Sequence, residues 1–358
     1  MSSLILNSRK RMKKLDQDYV LSSIELLPKQ IKQAWGEAKQ IKFTKTYQTR
    51  SDITLCGMGG SALGADVLRA LYGTEIKFPF HIVNDYHLPG HVGKNSFVLL
   101  SSYSGNTEEV IACAQTAKKR KAKIAVITGG GKLKELAKKN KWPMYLIEPE
   151  FNPSNQPRMA LGYAAFGLAG MFSKLGILKI NDTAVQGLMR YLTTQMQQFG
   201  PDRMEDNPAK QIAIAAEQRF LLLISAEHMI GAVHVMNNQI NENAKHLCTR
   251  MLIPELNHHF LEGLSKPDGV KKHLLAVLFQ SPFYLEHTQK RIQLTADLLA
   301  NYGILPQIVN STARTPMEQA WEAIHMGSYT SFYLAMLHGI NPAPVPNVEV
   351  FKQQLKEA

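Results

Sequence analysis

Apolar residues along this chain fall into two patterns. Short uninterrupted runs alternate with longer stretches in which apolar positions recur every three or four residues. The runs Ile53–Gly57, Phe80–Asn84, Phe97–Ser102, Ile124–Thr128 and Met144–Ile147 predict strands buried on both faces. Between them, Ala62–Leu71, Glu108–Lys119 and Lys132–Asn140 carry helical spacing. Residues 1–48 predict an N-terminal helical segment, most clearly in "DYVLSSIELLPKQIKQAWGEAKQI". The alternation breaks at "EPEFNPSNQPRMALGYAAFGLAGMF", where turn residues precede a long apolar helix. After "FGPDRMEDNPAKQIA" it resumes with Phe220–Ser225, Thr249–Leu256, Leu274–Phe279 and Pro306–Asn310. Strands alternating with helices specify an α/β fold, a parallel sheet covered by helices. Two such units follow one another, residues 49–200 and 201–358, the second ending in a C-terminal helix, with the boundary near Gly200–Pro208.

Composition narrows the class. A chain of 358 residues suits two domains, and 45% hydrophobic residues support a substantial core. The three cysteines, Cys56, Cys113 and Cys248, form no CxxC pair, so neither a disulfide framework nor a zinc site is indicated. A reducing cytoplasm is the simplest location. The N-terminus has no apolar core of a signal peptide, and no apolar run is long enough to cross a membrane. The net charge is +12, from 41 Lys+Arg against 29 Asp+Glu. These charges are dispersed, with small runs at "RKRMKK" and "KKRKAK" and no interleaved aromatic residues. They imply steering of an anionic small substrate rather than nucleic-acid or membrane binding.

The strongest chemical signal is "LCGMGGSALGAD", Leu55–Asp66, where a strand, a glycine turn and a helix follow one another. That order presents backbone N–H groups to a phosphate. Within it "GMGGSA" satisfies the dinucleotide pattern G-x-G-x-x-G/A, and Asp85 follows the second strand where an acid would hold a ribose. A Walker A loop is excluded, because no G-K-[ST] follows. The third strand ends in "LLSSYSGNTEEV", with Ser101, Ser102, Ser104 and Thr107 on a turn that opens a helix. In a 2-1-3-4-5 strand order the first and third strands are neighbours, and Gly60, Ser61, Ser102, Ser104 and Thr107 converge on one anion. Many hydroxyls suit the oxygens of a monophosphate; a pyrophosphate needs glycine more. Any single one of these residues would serve equally as a helix cap, with Glu108 and Glu109 favouring the dipole. The second unit has "SAEHMIGA" where the first has its glycines, so it keeps the fold without that loop.

"GMGGSALGAD", "SYSGNTEE" and "ITGGGKL" resemble sugar isomerase (SIS) domains. With "QPRMALGYA", "NQINENAKH", "PELNHH" and "GSYTSFYLAMLHGINPAPVP", the chain from about residue 50 onward resembles the bifunctional phosphoglucose/phosphomannose isomerase family. The resemblance implies two SIS (flavodoxin-like) domains in a homodimer with shared active sites. It implies conversion of glucose 6-phosphate or mannose 6-phosphate to fructose 6-phosphate with no cofactor and no metal. Glu242 of "NENAK" is then the isomerisation base, and His258 of "PELNHH" donates to the ring oxygen, from either subunit. Arg158 of "QPRMA" stabilises the enediolate. Lys352, or alternatively Lys356, is the C-terminal lysine that assists ring chemistry. Without the motif, Glu242 would read as a surface residue paired with Lys245 or His246, and Lys352 as the solvent face of a helix.

The chain departs from the family pattern in places. His259 stands where Asn commonly follows the histidine, and Ala343 stands in "NPAP" where a small hydroxyl residue is often found. Mannose-phosphate activity is therefore less firmly implied than glucose-phosphate activity. Basic residues are missing upstream of "NENAK", where this chain reads "AVHVMNNQ" with His234 and Asn237, so Glu242 is expected in a less positive field. Two other functions compete. A non-catalytic sugar-phosphate sensor would keep the serines but not need Glu242 and His258 together, and a nicotinamide dehydrogenase would use "GMGGSA" and Asp85.

Overall fold

The computed structural model describes residues 2–357. Two wholly parallel sheets organise it. The first contains β1 (Ile53–Gly57), β2 (Phe80–Val83), β3 (Phe97–Ser102), β4 (Lys123–Thr128) and β5 (Met144–Leu146) in the order β2-β1-β3-β4-β5. The second contains β6 (Phe220–Ser225), β7 (Cys248–Leu252), β8 (Leu274–Gln280) and β9 (Gln307–Asn310) in the order β7-β6-β8-β9. The second sheet repeats the winding of the first without a fifth strand. Each central strand is buried almost end to end, as strands covered on both faces must be.

The helices are α1 (Arg9–Leu15), α2 (Val20–Glu25), α3 (Leu27–Ala38), α4 (Gly60–Tyr72), α5 (Glu108–Lys119), α6 (Gly131–Asn140), α7 (Leu161–Lys174) and α8 (Asp182–Phe199). They continue as α9 (Pro208–Ala216), α10 (Ile230–Ala244), α11 (Val270–His273), α12 (Glu286–Asn301), α13 (Pro316–Leu337) and α14 (Pro346–Glu357). None among the described residues is long and apolar enough to cross a membrane. The expected helix over residues 1–48 is broken into α1, α2 and α3 with short 3-10 turns. Asp16 causes one break: its carboxylate accepts from the N–H groups of Val20 and Leu21 and starts the next helix. The strand expected over Thr249–Leu256 stops at Leu252. Pro254 has no N–H to donate to a ladder, and a 3-10 turn, Glu255–His258, follows it.

Helices α4, α10 and α13 lie between the sheets and are locked by glycines. A Cβ on Gly231 of α10 would come within 2.5 Å of the Asp66 carbonyl and 2.6 Å of Val67 Cα on α4. Gly327 of α13 faces the Met236 side chain of α10 equally closely, at 2.7 Å. α7 is apolar on every side, and each residue from Leu161 to Phe172 is buried. Its all-round apolar surface is what a helix enclosed by α3, α4 and the first sheet requires. One apolar cluster reaches from Leu6 to Ala343 and joins the two sheets, and a second, which includes Val98, Leu100, Val110 and Val126, covers the other face of the first sheet.

Gly231→Ala is expected to destabilise the protein by about 1–3 kcal/mol, since backbone atoms rather than a flexible side chain must yield. Gly187→Ala, in mid-α8 with open space around its Cβ position, is expected to stabilise by about 0.5–1 kcal/mol. Urea unfolding midpoints of the two variants measure both effects.

Candidate active site

The carboxyl ends of β1 and β3 turn into two interlocked loops. After β1 the chain passes through Gly59, whose φ of +48° is in the left-handed region, and enters α4 at Gly60. After β3, Ser102 is buried and its Oγ does two things. It pairs with Thr107 Oγ1 at 2.7 Å and accepts from the Gly105 N–H at 3.0 Å. Ser61 Oγ accepts from the Tyr103 N–H at 2.9 Å, and Ser101 Oγ donates to the Ser61 carbonyl at 2.7 Å. Ser104 Oγ accepts from the Asn106 N–H at 3.3 Å. Gly105, at φ +73°, must be glycine, because a Cβ there would sit 1.8 Å from the Gly130 carbonyl of the loop after β4.

These contacts decide between cap and cradle at one residue. Thr107 occupies the N-cap position of α5, yet its side chain makes no cap bond and turns to Ser102. In the first turn of α4 the Ser61 and Ala62 N–H groups donate to the Met58 and Gly59 carbonyls at 3.1 Å and 3.0 Å, while the first N–H groups of α5 have no acceptor within their helix. These contacts bring Ser61, Ser102 and Thr107 together at the ends of β1 and β3, with Gly60 and Ser104 next to them in the two loops. Asp85 stands apart. Its exposed carboxylate accepts from the Tyr86 and His87 N–H groups of its own turn.

Gly60 ties this cradle to a second cluster. A Cβ on Gly60 would meet the Pro157 carbonyl at 2.8 Å and the Arg158 nitrogen at 2.9 Å, so the loop rests on the backbone of Arg158. The Arg158 side chain is buried and every N–H of its guanidinium is engaged. Nε donates to Asn243 Oδ1 at 2.5 Å, and Nη1 donates to Gln156 Oε1 at 2.8 Å and to Glu242 Oε2 at 3.4 Å. Nη2 donates to the carbonyls of Pro342 at 2.9 Å and Ala343 at 2.7 Å. The contact with Glu242 is the longest of the five, hence the weakest and the most readily exchanged for another oxygen.

Burial pushes the Glu242 carboxyl above its ordinary value, while Arg158, Lys352 and Lys245 pull it back. Burial likewise lowers Arg158, and pushes the Lys245 ammonium down to about 8 with help from the Arg158 charge. The field at Glu242 is therefore positive despite the missing basic residues upstream. His234 is turned away to Asp66, at 3.0 Å. Neither partner of a surface-helix reading holds Glu242: Lys245 Nζ donates to backbone carbonyls, and His246 bonds the Arg219 carbonyl.

Lys352 on α14 is exposed and close enough to act on Glu242 electrostatically. The side chain of Lys356 lies outside the described residues. His258 is not in this cluster. The Ile253 N–H donates to the Ser225 carbonyl, which places the Glu255–His258 turn beside the start of α10. Glu242 lies at the other end of that helix, a rise of about 18 Å away. His258 is exposed, and His259 bonds Glu255 at 2.8 Å.

The corresponding place in the second sheet is filled. Glu227, at φ +43°, takes the conformation of Gly59, but His228 follows where Gly60 would be. The His228 ring is bound to Gln319 Oε1 at 3.0 Å, Ser281 donates to the same oxygen, and Tyr284 OH accepts from the Ala226 N–H. Bonded side chains thus line the second loop, where the first has glycines.

Four residues of the cluster escaped the reading of the sequence. Gln156 and Asn243 hold the guanidinium, Gln239 Nε2 donates to the Arg158 carbonyl at 3.1 Å, and Lys245 holds the chain near Pro342. Gln239 and Asn243 are one helical turn apart on α10, and each also bonds a serine of α13, Ser328 and Ser331. Their spacing in "QINENAK" was the available signal.

A model of SIS domains matches residues 47–166, and one of the C-terminal SIS domain of bacterial phospho-glucose isomerase matches residues 205–355. The bifunctional phosphoglucose/phosphomannose isomerase of Caldicellulosiruptor bescii is 31% identical over 94% of this chain and 99% of its own. That of Aquifex aeolicus is 29% identical over 85% of this chain and 90% of its own. A solved structure, a hypothetical protein of Thermus thermophilus, shares the fold with a TM-score of 0.74 at 16% identity, covering 99% of this chain and 94% of that one.

Ser102→Ala removes the acceptor for Gly105 and the partner of Thr107. It is expected to weaken inorganic phosphate binding about tenfold, the equivalent of one hydrogen bond to a charged group. Calorimetric titration with phosphate measures it.

Proposed function

This chain belongs to the bifunctional phosphoglucose/phosphomannose isomerase family and is a hexose-phosphate isomerase; on that premise we propose how its residues move a proton between C1 and C2 of glucose 6-phosphate to form fructose 6-phosphate. The reading is carried by one observation. Gly60 of the anion cradle packs on the backbone of Arg158, and the far end of the same arginine meets Glu242. A sugar held by its phosphate at Gly60, Ser61, Ser102, Ser104 and Thr107 would extend its reacting carbons toward that carboxylate.

In this scheme Glu242, as carboxylate, takes the proton from C2 of the open-chain aldose and returns it to C1. Its raised pKa suits a base that must accept and then release the same proton. Negative charge develops on the enediolate oxygens, and Arg158 Nη1 can exchange its long contact with Glu242 for one of them. Lys352 and His258 handle ring opening. Within one chain His258 stands at the opposite end of α10 from Glu242, which supports the expectation that a homodimer shares its sites and a partner's histidine completes each one. One proton passes from C2 to C1 through Glu242 and another from O2 to O1 of the enediolate, and no electrons leave the sugar, so no redox cofactor is called for. The Ala343 carbonyl is bound by Arg158, which puts the "NPAP" segment beside the arginine of this scheme. The lack of a hydroxyl at Ala343 supports glucose 6-phosphate as a better substrate than mannose 6-phosphate. The three cysteines are buried and unpaired, in keeping with a cytoplasmic location. A pure sensor is not favoured, since it would have no use for a carboxylate held against an arginine beside the cradle.

A coupled assay for fructose 6-phosphate with EDTA present is expected to show turnover. Glu242→Gln is expected to lower kcat by about 10²–10⁴-fold while glucose 6-phosphate still binds. The acid limb of the pH profile should report Glu242: activity is lost as pH falls through a pKa above the usual carboxylate range. Mixing inactive Glu242→Gln with inactive His258→Ala tests shared sites. Mixed dimers carry one intact site and regain activity; sites confined to one chain would regain none.

A further inference from the structure

Lys245 sits at the end of α10 with φ +51°, a left-handed cap position more often held by glycine or asparagine. That turn sends its side chain back across the helix end. There its Nζ donates to the carbonyls of Asn243 at 3.2 Å, Asn341 at 3.1 Å and Pro342 at 3.0 Å. An ammonium has three N–H groups, and all are used. The Pro342 carbonyl also accepts from Arg158 Nη2, so two cations converge on one oxygen of the strap that joins α13 to α14. Asn341 Nδ2 adds a bond to Asp18 at 2.7 Å.

Beyond the strap, α14 has little to hold it. Val348, Val350, Phe351 and Leu355 are 43–64% exposed, so no apolar face of the helix is buried. The position of α14, and with it Lys352, is set by its tether. We infer that Lys245 is a positioning residue for the isomerisation: by knotting the end of α10 to Asn341 and Pro342, it fixes where Lys352 stands relative to Glu242, the neighbour of Lys245 on the same helix. The role differs from that of Arg158, which faces the reacting atoms. It rests on the isomerase reading for the task of Lys352, but not for the tether itself.

Two arms test it. A nitroxide on Gln354→Cys, an exposed site in a chain whose own cysteines are buried, reports the motion of α14 without any turnover. Lys245→Met is expected to sharpen its spectrum, and Lys245→Arg, which keeps a cationic donor, to restore much of the immobile component. In the assay, Lys245→Met is expected to lower kcat about tenfold with KM changed less than about twofold, because the phosphate cradle is untouched. In a Lys352→Ala background the same change is expected to cost less than about twofold more, since the two act as one unit. Unchanged spectra, or kcat losses that multiply in the double variant, overturn the inference. Should Lys245→Met not fold, Lys245→Arg alone carries the test: a larger, planar guanidinium cannot converge its N–H groups on the same three carbonyls as a compact ammonium does, so intermediate mobility and kcat are expected, and wild-type values for both overturn it. A wild-type protein without turnover would refute the isomerase reading and leave the spectral arm standing.

Discussion

A single buried arginine has to find partners for five N–H groups, and much of this molecule is arranged to supply them. A guanidinium out of water is costly unless every donor is bonded and a countercharge is near. Arg158 meets both conditions with partners drawn from three distant parts of the chain. Gln156 comes from its own turn, Glu242 and Asn243 from the end of α10, and Pro342 and Ala343 from the strap after α13. Losing any of these leaves a buried charge less satisfied, so the arginine couples the first sheet's loops, the central helix and the C-terminus. The electrostatics of the site follow from the same contacts: burial raises the Glu242 carboxyl, and Arg158 limits the rise.

The two halves of the chain show how one fold yields a site in one copy and a plug in the other. Both units carry a parallel sheet whose first strand turns through a left-handed residue into a helix, Gly59 in one and Glu227 in the other. The first continues with Gly60 and Ser61, whose Oγ accepts from the Tyr103 N–H of the neighbouring loop. The second continues with His228, whose ring is bonded to Gln319. Ser281 donates to the same Gln319 oxygen, and Tyr284 accepts from the Ala226 N–H, so bonded side chains line this strand end. The glycines of the first loop matter through what they allow to approach: Gly60 admits the Arg158 backbone, and Gly105 admits the Gly130 carbonyl.

Apart from the end of β7, strand positions were legible to within a residue or two, because a strand buried on both faces is an uninterrupted apolar run with polar ends. The winding of the first sheet was legible for the same reason, together with the serine-rich turn that required β1 and β3 to be neighbours. The N-terminal segment was less so. Apolar spacing continues through residues 9–38, but Asp16 captures two backbone N–H groups and divides the helix, a local competition that periodicity does not register. The end of β7 was misread because Ile253 and Leu256 prolong the apolar pattern past a proline that cannot pair.

By itself, the sequence determined the class of fold and the glycine loop after β1 that has no counterpart after β6, since each depends on residues that are neighbours along the chain. Glu242, Arg158 and His258 were recognisable from motifs, but their relation to one another was not. Tertiary structure decided that Arg158 and Glu242 touch, that His258 stands a helix length away, and that Lys245 holds a strap almost a hundred residues later rather than pairing with Glu242. Asn243 and Gln239 have their roles only because α10, buried on most sides, turns them toward an arginine and two serines. The reason is physical. Periodicity records which face of an element is apolar, whereas the partner of a buried polar group is chosen by packing between elements, which local spacing does not encode.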